Sequence, residues 1–149
     1  MSEPKVWVFF YGSFINREVL AEVDLIPERV EVARLAGYDI TIRPLANLEL
    51  SDQSSVYGIV CETTHTELAR LYGQEWVATY LPKAVLVETQ SGQPLPALCY
   101  VAPQREPKPA AAAYVDRIVK PARAYGFPRW YIDRLESYRP GARVDGSTT

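Results

Sequence analysis

The sequence predicts an α+β domain in which a small mixed, mainly antiparallel β-sheet or barrel packs against helices. Runs of β-branched and aromatic residues between turn residues dominate the first two-thirds of the chain, and helical patterns dominate the last third. The repeated strand-helix alternation of a doubly wound parallel fold is missing. With 149 residues, we expect one domain over residues 1–140 and a flexible tail over residues 141–149, which lacks an apolar anchor.

The first strand is predicted over residues 5–10, a β-branched and aromatic run that Gly12 ends. Asn16 can cap a short helix over residues 17–23. Side chains alternate between apolar and polar over residues 37–43, which predicts a second strand. A short irregular strand is expected to continue after Pro44.

Residues 55–63 form the next predicted strand, and a Thr-x-x-Glu capping box, Thr64 to Glu67, follows it. The helix that this box begins is expected to run from Thr66 to about Gln74. Two further strands, over residues 83–89 and 97–102, are separated by a glycine-containing turn, and their spacing predicts an antiparallel hairpin.

The last third of the chain is predicted to be helical. A helix is expected over residues 110–125, and Pro121 is expected to kink it or divide it. Gly126 is placed to end this helix and Pro128 to begin the next one.

Composition narrows the classes of partner. The formal net charge is -2 with no basic stripe, so no nucleic-acid partner is expected. No apolar run approaches the roughly 20 residues that span a bilayer, and the N-terminus lacks a signal-peptide pattern. Cys61 and Cys99 lie in apolar strands, which favours two buried, reduced thiols in a cytoplasmic protein. A single histidine and no Cys-x-x-Cys spacing give no zinc site.

The junction Tyr11-Gly12-Ser13 is the first candidate site. Because Gly12 has no Cβ, the backbone can turn sharply there and a ligand can approach closely. The amides of Gly12, Ser13 and Phe14 could then donate to a carboxylate or a carbonyl oxygen. The sequence therefore predicts the floor of a small-molecule pocket, although these three residues alone also fit a plain strand-ending turn.

This junction resembles the signature turn of the gamma-glutamylcyclotransferase-like (AIG2-like) superfamily, and later segments fall in the family's order. The resemblance covers about residues 5 to 138. The segments that carry it are Val32-Ala33-Arg34-Leu35 with Gly37-Tyr38, Val56-Tyr57-Gly58-Ile59-Val60, Leu71-Tyr72-Gly73-Gln74-Glu75, and the spacing of Tyr100, Tyr114, Gly126 and Pro128.

The resemblance implies a gamma-glutamyl cyclotransferase, in which the substrate's α-amine attacks its own γ-carbonyl to form 5-oxoproline and release an amine. Such an enzyme needs no nucleophile, metal or cofactor. Glu75 matches the family's general acid/base, and the loop of Tyr11, Gly12, Ser13 and Phe14 matches the part that holds the glutamyl group. The candidate tyrosines for contacts with the substrate are Tyr11, Tyr57, Tyr80, Tyr100 and Tyr114, and Tyr100 and Tyr114 are preferred because their spacing matches the family. The resemblance is also compatible with a homodimer.

The position of Glu75 in the sequence supports the same role. Leu68, Leu71, Tyr72 and Glu75 fall at helical spacings of three and four, which places them on one apolar face. Burial would raise the pKa of a carboxyl there, as a general base near neutrality requires. A solvent-facing residue at the helix end is the alternative, with Glu62 and Glu88, both in or beside predicted strands, as substitute acids.

Other readings stay open. Phe14, Tyr72 and Trp76 stand where the family carries Asn, Asp and Gly, so the domain could be a non-catalytic binding or regulatory module of the same fold. A third reading is an enzyme that removes a γ-glutamyl group from a larger molecule. His65 lies just inside the capping box and is expected to be an exposed helix-start residue rather than a base.

Overall fold

A computed structural model of the chain describes residues 3–103 and 106–141. The tail predicted over residues 141–149 lies outside the described residues, except for Gly141. No helix in the described ranges is long and apolar enough to cross a membrane.

Five strands form a closed barrel in the order β1-β3-β2-β4-β5, which confirms the predicted α+β class. Neighbouring strands are antiparallel except at the closure, where β5 pairs with β1 in parallel through Val8 and Leu98. The strands are β1 (Lys5–Phe10), β2 (Glu28–Ile42), β3 (Ala46–Thr64), β4 (Leu81–Thr89) and β5 (Pro94–Val101).

In the described ranges, four α-helices and two 3₁₀ turns accompany the barrel. They are the first 3₁₀ turn (Ser13–Ile15), α1 (Arg17–Ala21), α2 (His65–Tyr72), the second 3₁₀ turn (Glu75–Val77), α3 (Ala112–Tyr125) and α4 (Arg129–Glu136). The predicted caps are confirmed: the Asn16 side chain accepts from the Glu18 amide, and Thr64 and Glu67 form the capping box.

β2 and β3 form one long hairpin, so the short separate strands predicted over residues 37–43, 45–50 and 55–63 are wrong in extent. Gly37 was predicted to start a strand, but it lies inside β2, where it has a φ of +90°. It lies at a register shift between Ala36 and Tyr38, where the ladder is irregular and then resumes. Glycine ends many strands, but here it forms a bulge within one.

Pro121 was expected to kink or divide α3, and the division is wrong because the helix is continuous through it. Proline has no N–H and leaves the carbonyl four residues before it without its helical partner. That carbonyl belongs to Arg117, and the Asn16 side-chain amide donates to it at 3.1 Å. Gly126 ends α3 in the left-handed conformation, as predicted.

The core fills the barrel and continues between the barrel and the helices. Phe9 and Ile59 are fully buried from the strands, and Ile118 and Leu135 are fully buried from α3 and α4. Cys61 and Cys99 are buried free thiols, as predicted, and burial raises the pKa of each to about 12. Both stay protonated and unreactive near neutral pH.

Candidate functional site

A narrow cleft opens where β1 ends and the chain turns into the first 3₁₀ turn. Its volume is about 30 Å³, and a single water needs about 10–15 Å³. Only about two waters fit without movement of the walls. The residues that line it are Phe10, Tyr11, Gly12, Ser13, Phe14, Ala46, Tyr72, Trp76, Val77, Tyr80, Tyr100 and Tyr114.

The floor of the cleft is the loop of Tyr11 to Phe14, with Gly12 as the N-cap of the first 3₁₀ turn. A Cβ on Gly12 would lie 2.7 Å from the Ala46 Cβ, so only glycine lets the loop approach the start of β3 this closely. Ser13 is buried beside it. The loop thus lines the cleft, and the donation of its amides to a ligand stays a prediction.

Three tyrosine hydroxyls fix the walls of the cleft to the backbone. Tyr11 donates to the Tyr100 carbonyl oxygen at 2.7 Å, and Tyr80 donates to the Ala46 carbonyl oxygen at 2.5 Å. The Ala46 amide donates to the Tyr114 hydroxyl oxygen at 3.0 Å. Burial raises the pKa of the Tyr11 and Tyr114 phenols, and hydrogen bonds from Ala46 and Ser13 oppose part of the rise at Tyr114. These phenols are neutral groups that hold backbone in place.

Aromatic rings close the other side of the cleft, and three of them are the residues that depart from the family pattern. Tyr72 stacks on Tyr100 with ring centroids 3.8 Å apart and planes 9° apart. Phe14 meets Tyr72 edge-on at 5.4 Å and Trp76 at 5.6 Å. Trp76 is 36% exposed, so it forms the outer edge of this wall.

Glu75 does not line the cleft, and its expected place on the buried face of a helix is wrong. α2 ends at Tyr72, where the Gln74 side-chain amide donates to the Leu71 carbonyl oxygen at 3.0 Å. Gln74 itself is extended, and Glu75 starts a new 3₁₀ turn with its side chain exposed. Residues spaced by three and four share a face only within one continuous helix. Because α2 ends before Glu75, the following 3₁₀ turn places Trp76 and Val77, rather than Glu75, at the cleft.

The other candidates also lie apart from the cleft. Glu62 and Glu88 form ion pairs with Arg29 and Arg34, at 3.7 Å and 3.1 Å respectively. His65 is exposed at the start of α2, as expected. Within the described part of the chain, no group of three or more metal-binding side chains could hold an ion.

The structure therefore brings together six of the seven predicted site residues: Tyr11, Gly12, Ser13, Phe14, Tyr100 and Tyr114. Sequence reasoning missed Phe10, Ala46 and Val77. Phe10 and Val77 read as core residues, and no signal distinguishes Ala46 from any small residue at the start of a strand. Tyr80 was recognisable only as one tyrosine among several.

Solved structures share this fold. An uncharacterized protein from Homo sapiens matches with a TM-score of 0.78 and 23% identity, over 99% of this chain and 93% of that one. A structure named gamma-glutamyl cyclotransferase matches with a TM-score of 0.79 and 22% identity, over 98% and 92%. YkqA from Bacillus subtilis matches with a TM-score of 0.75 and 24% identity, over 94% of this chain and 56% of that one.

The sequence comparisons are more specific about the family. No curated protein matches the sequence significantly. The family model described as AIG2-like matches residues 55–135, which is more than half of the chain. The matched part runs from β3 through α4 and contains Tyr72, Tyr100 and Tyr114 of the cleft. The chain belongs to the AIG2-like family.

Proposed function

We propose that this protein is a gamma-glutamyl cyclotransferase, which converts a γ-glutamyl amino acid or amine into 5-oxoproline and a free amine. The observation that carries the proposal is the cleft itself. It gathers the Tyr11 to Phe14 loop, Tyr100 and Tyr114 from distant parts of the sequence around one small space. One protein of the same fold is named for this activity.

The reaction needs positioning more than reactive groups. The substrate's α-ammonium group loses one proton, and the free amine attacks the γ-carbonyl carbon and closes a five-membered ring. The ring nitrogen then loses its second proton, the bond from that carbon to the leaving nitrogen breaks, and the leaving nitrogen takes up a proton. The protein contributes by folding the glutamyl chain back on itself, so that a ring closure within one molecule replaces a slower encounter.

The lining of the cleft suits this chemistry. The Gly12 to Phe14 loop lines the cleft, and its amides that are not bonded to Tyr114 would donate to the oxygens of the glutamyl group. The rings of Phe14, Tyr72 and Trp76 surround the remaining space without charge. Desolvation lowers the pKa of an amine, so a cleft of this kind favours loss of the proton from the α-ammonium group.

Glu75 is the proposed carrier of that proton, first as base and then as acid toward the leaving nitrogen. It directly precedes Trp76, which lines the cleft, and the turn that holds both spans three residues. Because the cleft has room for about two waters, a glutamyl chain enters only when a wall moves. Outward movement of Trp76 would reorient the same turn and carry Glu75 toward the substrate.

Incubation of the protein with γ-glutamylalanine and measurement of 5-oxoproline test the proposal. We expect turnover by the wild type and a loss of at least about 100-fold in kcat for Glu75→Gln, which keeps the shape but cannot carry a proton. Glu22→Gln, a matched change at an exposed glutamate after α1, should keep full activity. Full activity in Glu75→Gln would remove Glu75 from the mechanism.

The second candidate function is a non-catalytic binding module of the same fold. It is favoured by the absence of any carboxylate among the described residues that line the cleft. Saturable binding of γ-glutamylalanine by calorimetry, with no 5-oxoproline formed over a long incubation, would support the module over the enzyme.

A further inference from the structure

A second cavity lies beside the cleft, on the other side of the start of β3. Its volume is about 190 Å³, and Tyr80 lines both spaces. Ala46 faces the cleft, and its neighbours Leu45 and Asn47 face the cavity. An apolar cavity of about 150 Å³ can hold a molecule the size of benzene, so this one has room for an amino-acid side chain or backbone.

The wall between the two spaces is held firmly on both sides. The Ala46 backbone bonds the hydroxyls of Tyr80 and Tyr114, at 2.5 Å and 3.0 Å. The Asn47 side chain pairs with the Ala102 backbone through two hydrogen bonds, of 3.0 Å and 3.1 Å. The cavity is therefore preformed, and it adjoins the cleft at Tyr80, which lines both spaces.

The polar lining of the cavity comes from one face of the β2–β3 hairpin. Thr41 and Asn47 are register partners, and residues two apart on a strand share a face. Arg43, just past the end of β2, and Glu49 on β3 therefore extend that face in opposite directions. The lining of the cavity thus includes a basic residue toward the hairpin turn and an acidic residue farther from it.

Arg43 and Glu49 take no part in the ion pairs found within residues 3–103 and 106–141. The Arg43 guanidinium carbon lies 5.6 Å from the centroid of the Tyr138 ring, and among the described residues no side-chain hydrogen bond of Arg43 is found. By contrast, Arg134, which lies over the same ring, is bound to Asp39. A planar guanidinium matches a carboxylate through two parallel hydrogen bonds.

We propose that this cavity is the subsite for the leaving group of the substrate, and that Arg43 makes it prefer a leaving group that bears a carboxylate. The inference rests on the proposed function, since it takes the glutamyl group to occupy the cleft. Glu49 repels a carboxylate at its own end of the cavity and so directs it toward Arg43. The preferred substrates are then γ-glutamyl amino acids rather than γ-glutamyl monoamines.

The test compares γ-glutamylalanine with its neutral carboxamide, γ-glutamylalaninamide, as substrates of the full chain. We expect the wild type to favour the acid by tenfold or more in kcat/KM. Arg43→Gln should bring this ratio close to one, and Arg43→Lys should give an intermediate ratio because it keeps the charge but not the planar fork. Arg129→Gln, a matched change at an exposed arginine on α4, should keep the wild-type ratio.

A wild-type ratio near one, or a ratio that Arg43→Gln leaves unchanged in a protein with a normal melting temperature, would overturn the inference. If no substrate yields 5-oxoproline, the proposed function fails. The dissociation constants of the two compounds are then measured by calorimetry, and their ratio replaces the ratio of kcat/KM. A preference for the acid that Arg43→Gln removes would then support the subsite in a binding protein. Equal binding of the two compounds, or none, would overturn the subsite as well.

Discussion

Gly12 sets the distance between the two walls of the cleft. The close contact that its missing Cβ avoids is with a single atom, the Ala46 Cβ at 2.7 Å, and the next atom, the Tyr114 hydroxyl oxygen, is at an ordinary 3.7 Å. The φ of Gly12 is -103°, which any residue can adopt. The need for glycine at this position is therefore steric, and it depends on one neighbour.

This dependence on one neighbour predicts a compensating pair of substitutions. Gly12→Ala should lower the free energy of unfolding by about 1–3 kcal/mol, because the added methyl group forces the walls apart. Removal of the opposing methyl group in Gly12→Ala/Ala46→Gly should recover part of that loss, which a double-mutant cycle from urea denaturation measures. Strictly additive effects of the two changes would show that the walls do not meet at these atoms.

Local rules predicted single residues well wherever the signal and its partner lie a few positions apart. Asn16, the Thr64–Glu67 pair and Gly126 were recognisable as caps because a cap is satisfied within one turn of its own helix. Glu75 was misplaced because its direction depends on where α2 ends. At that end the Gln74 side chain bonds the last turn, and no sequence spacing encodes this contact.

At the scale of elements, the second 3₁₀ turn carries both Glu75, the proposed acid and base, and Trp76, which lines the cleft. It is anchored by the Val77 amide, which donates to the Gln74 carbonyl oxygen at 3.1 Å, and by the burial of Val77. Trp76 makes an edge-on contact with Phe14 and is 36% exposed. A short turn with one buried anchor is the element of the cleft that can move with least disruption of the core.

Movement of this turn predicts a fluorescence signal from Trp76. The chain has three tryptophans, so the Trp7→Phe/Trp130→Phe variant reports from Trp76 alone. Saturating γ-glutamylalanine should shift its emission to longer wavelength, because the ring leaves Phe14 and becomes more exposed. Alanine alone, which lacks the glutamyl group, should leave the emission unchanged. Saturable binding by calorimetry with no change in emission would mean that another wall opens.

At the scale of the whole molecule, the order of elements was predictable but the closure of the barrel was not. Alternation and turn residues predicted β1 in its observed bounds and the hairpin of β4 and β5. The parallel contact of β5 with β1 joins Val8 to Leu98 across 90 positions, and both residues have the pattern of any buried strand. The cleft lies near this closure, because Tyr11, just after β1, donates a hydrogen bond to the Tyr100 carbonyl oxygen on β5. Its walls could therefore be named only through the family resemblance.

The burial of thiols and phenols predicts how the stability of the whole molecule depends on pH. Burial raises the pKa of Cys61 and Cys99 to about 12, and raises the pKa of Tyr11 and Tyr72 as well. The unfolded chain releases these protons at lower pH than the folded chain. The free energy of unfolding should therefore be steady below about pH 8.5 and fall as the pH rises toward 12, by up to about 1.4 kcal/mol per pH unit for each group.

Urea denaturation at about pH 7.5, 9 and 10 measures this fall in the free energy of unfolding, because these pH values span the ordinary pKa values of the thiol and the phenol. Cys61→Ala/Cys99→Ala should be less stable at neutral pH because it loses buried side chains, yet its stability should fall less steeply above about pH 8.5. The difference in slope isolates the thiols, since tyrosines ionise only near pH 10 even when unfolded. Equal slopes for the two proteins would mean that the thiols titrate alike in the folded and unfolded chains, which contradicts their burial inside a closed barrel.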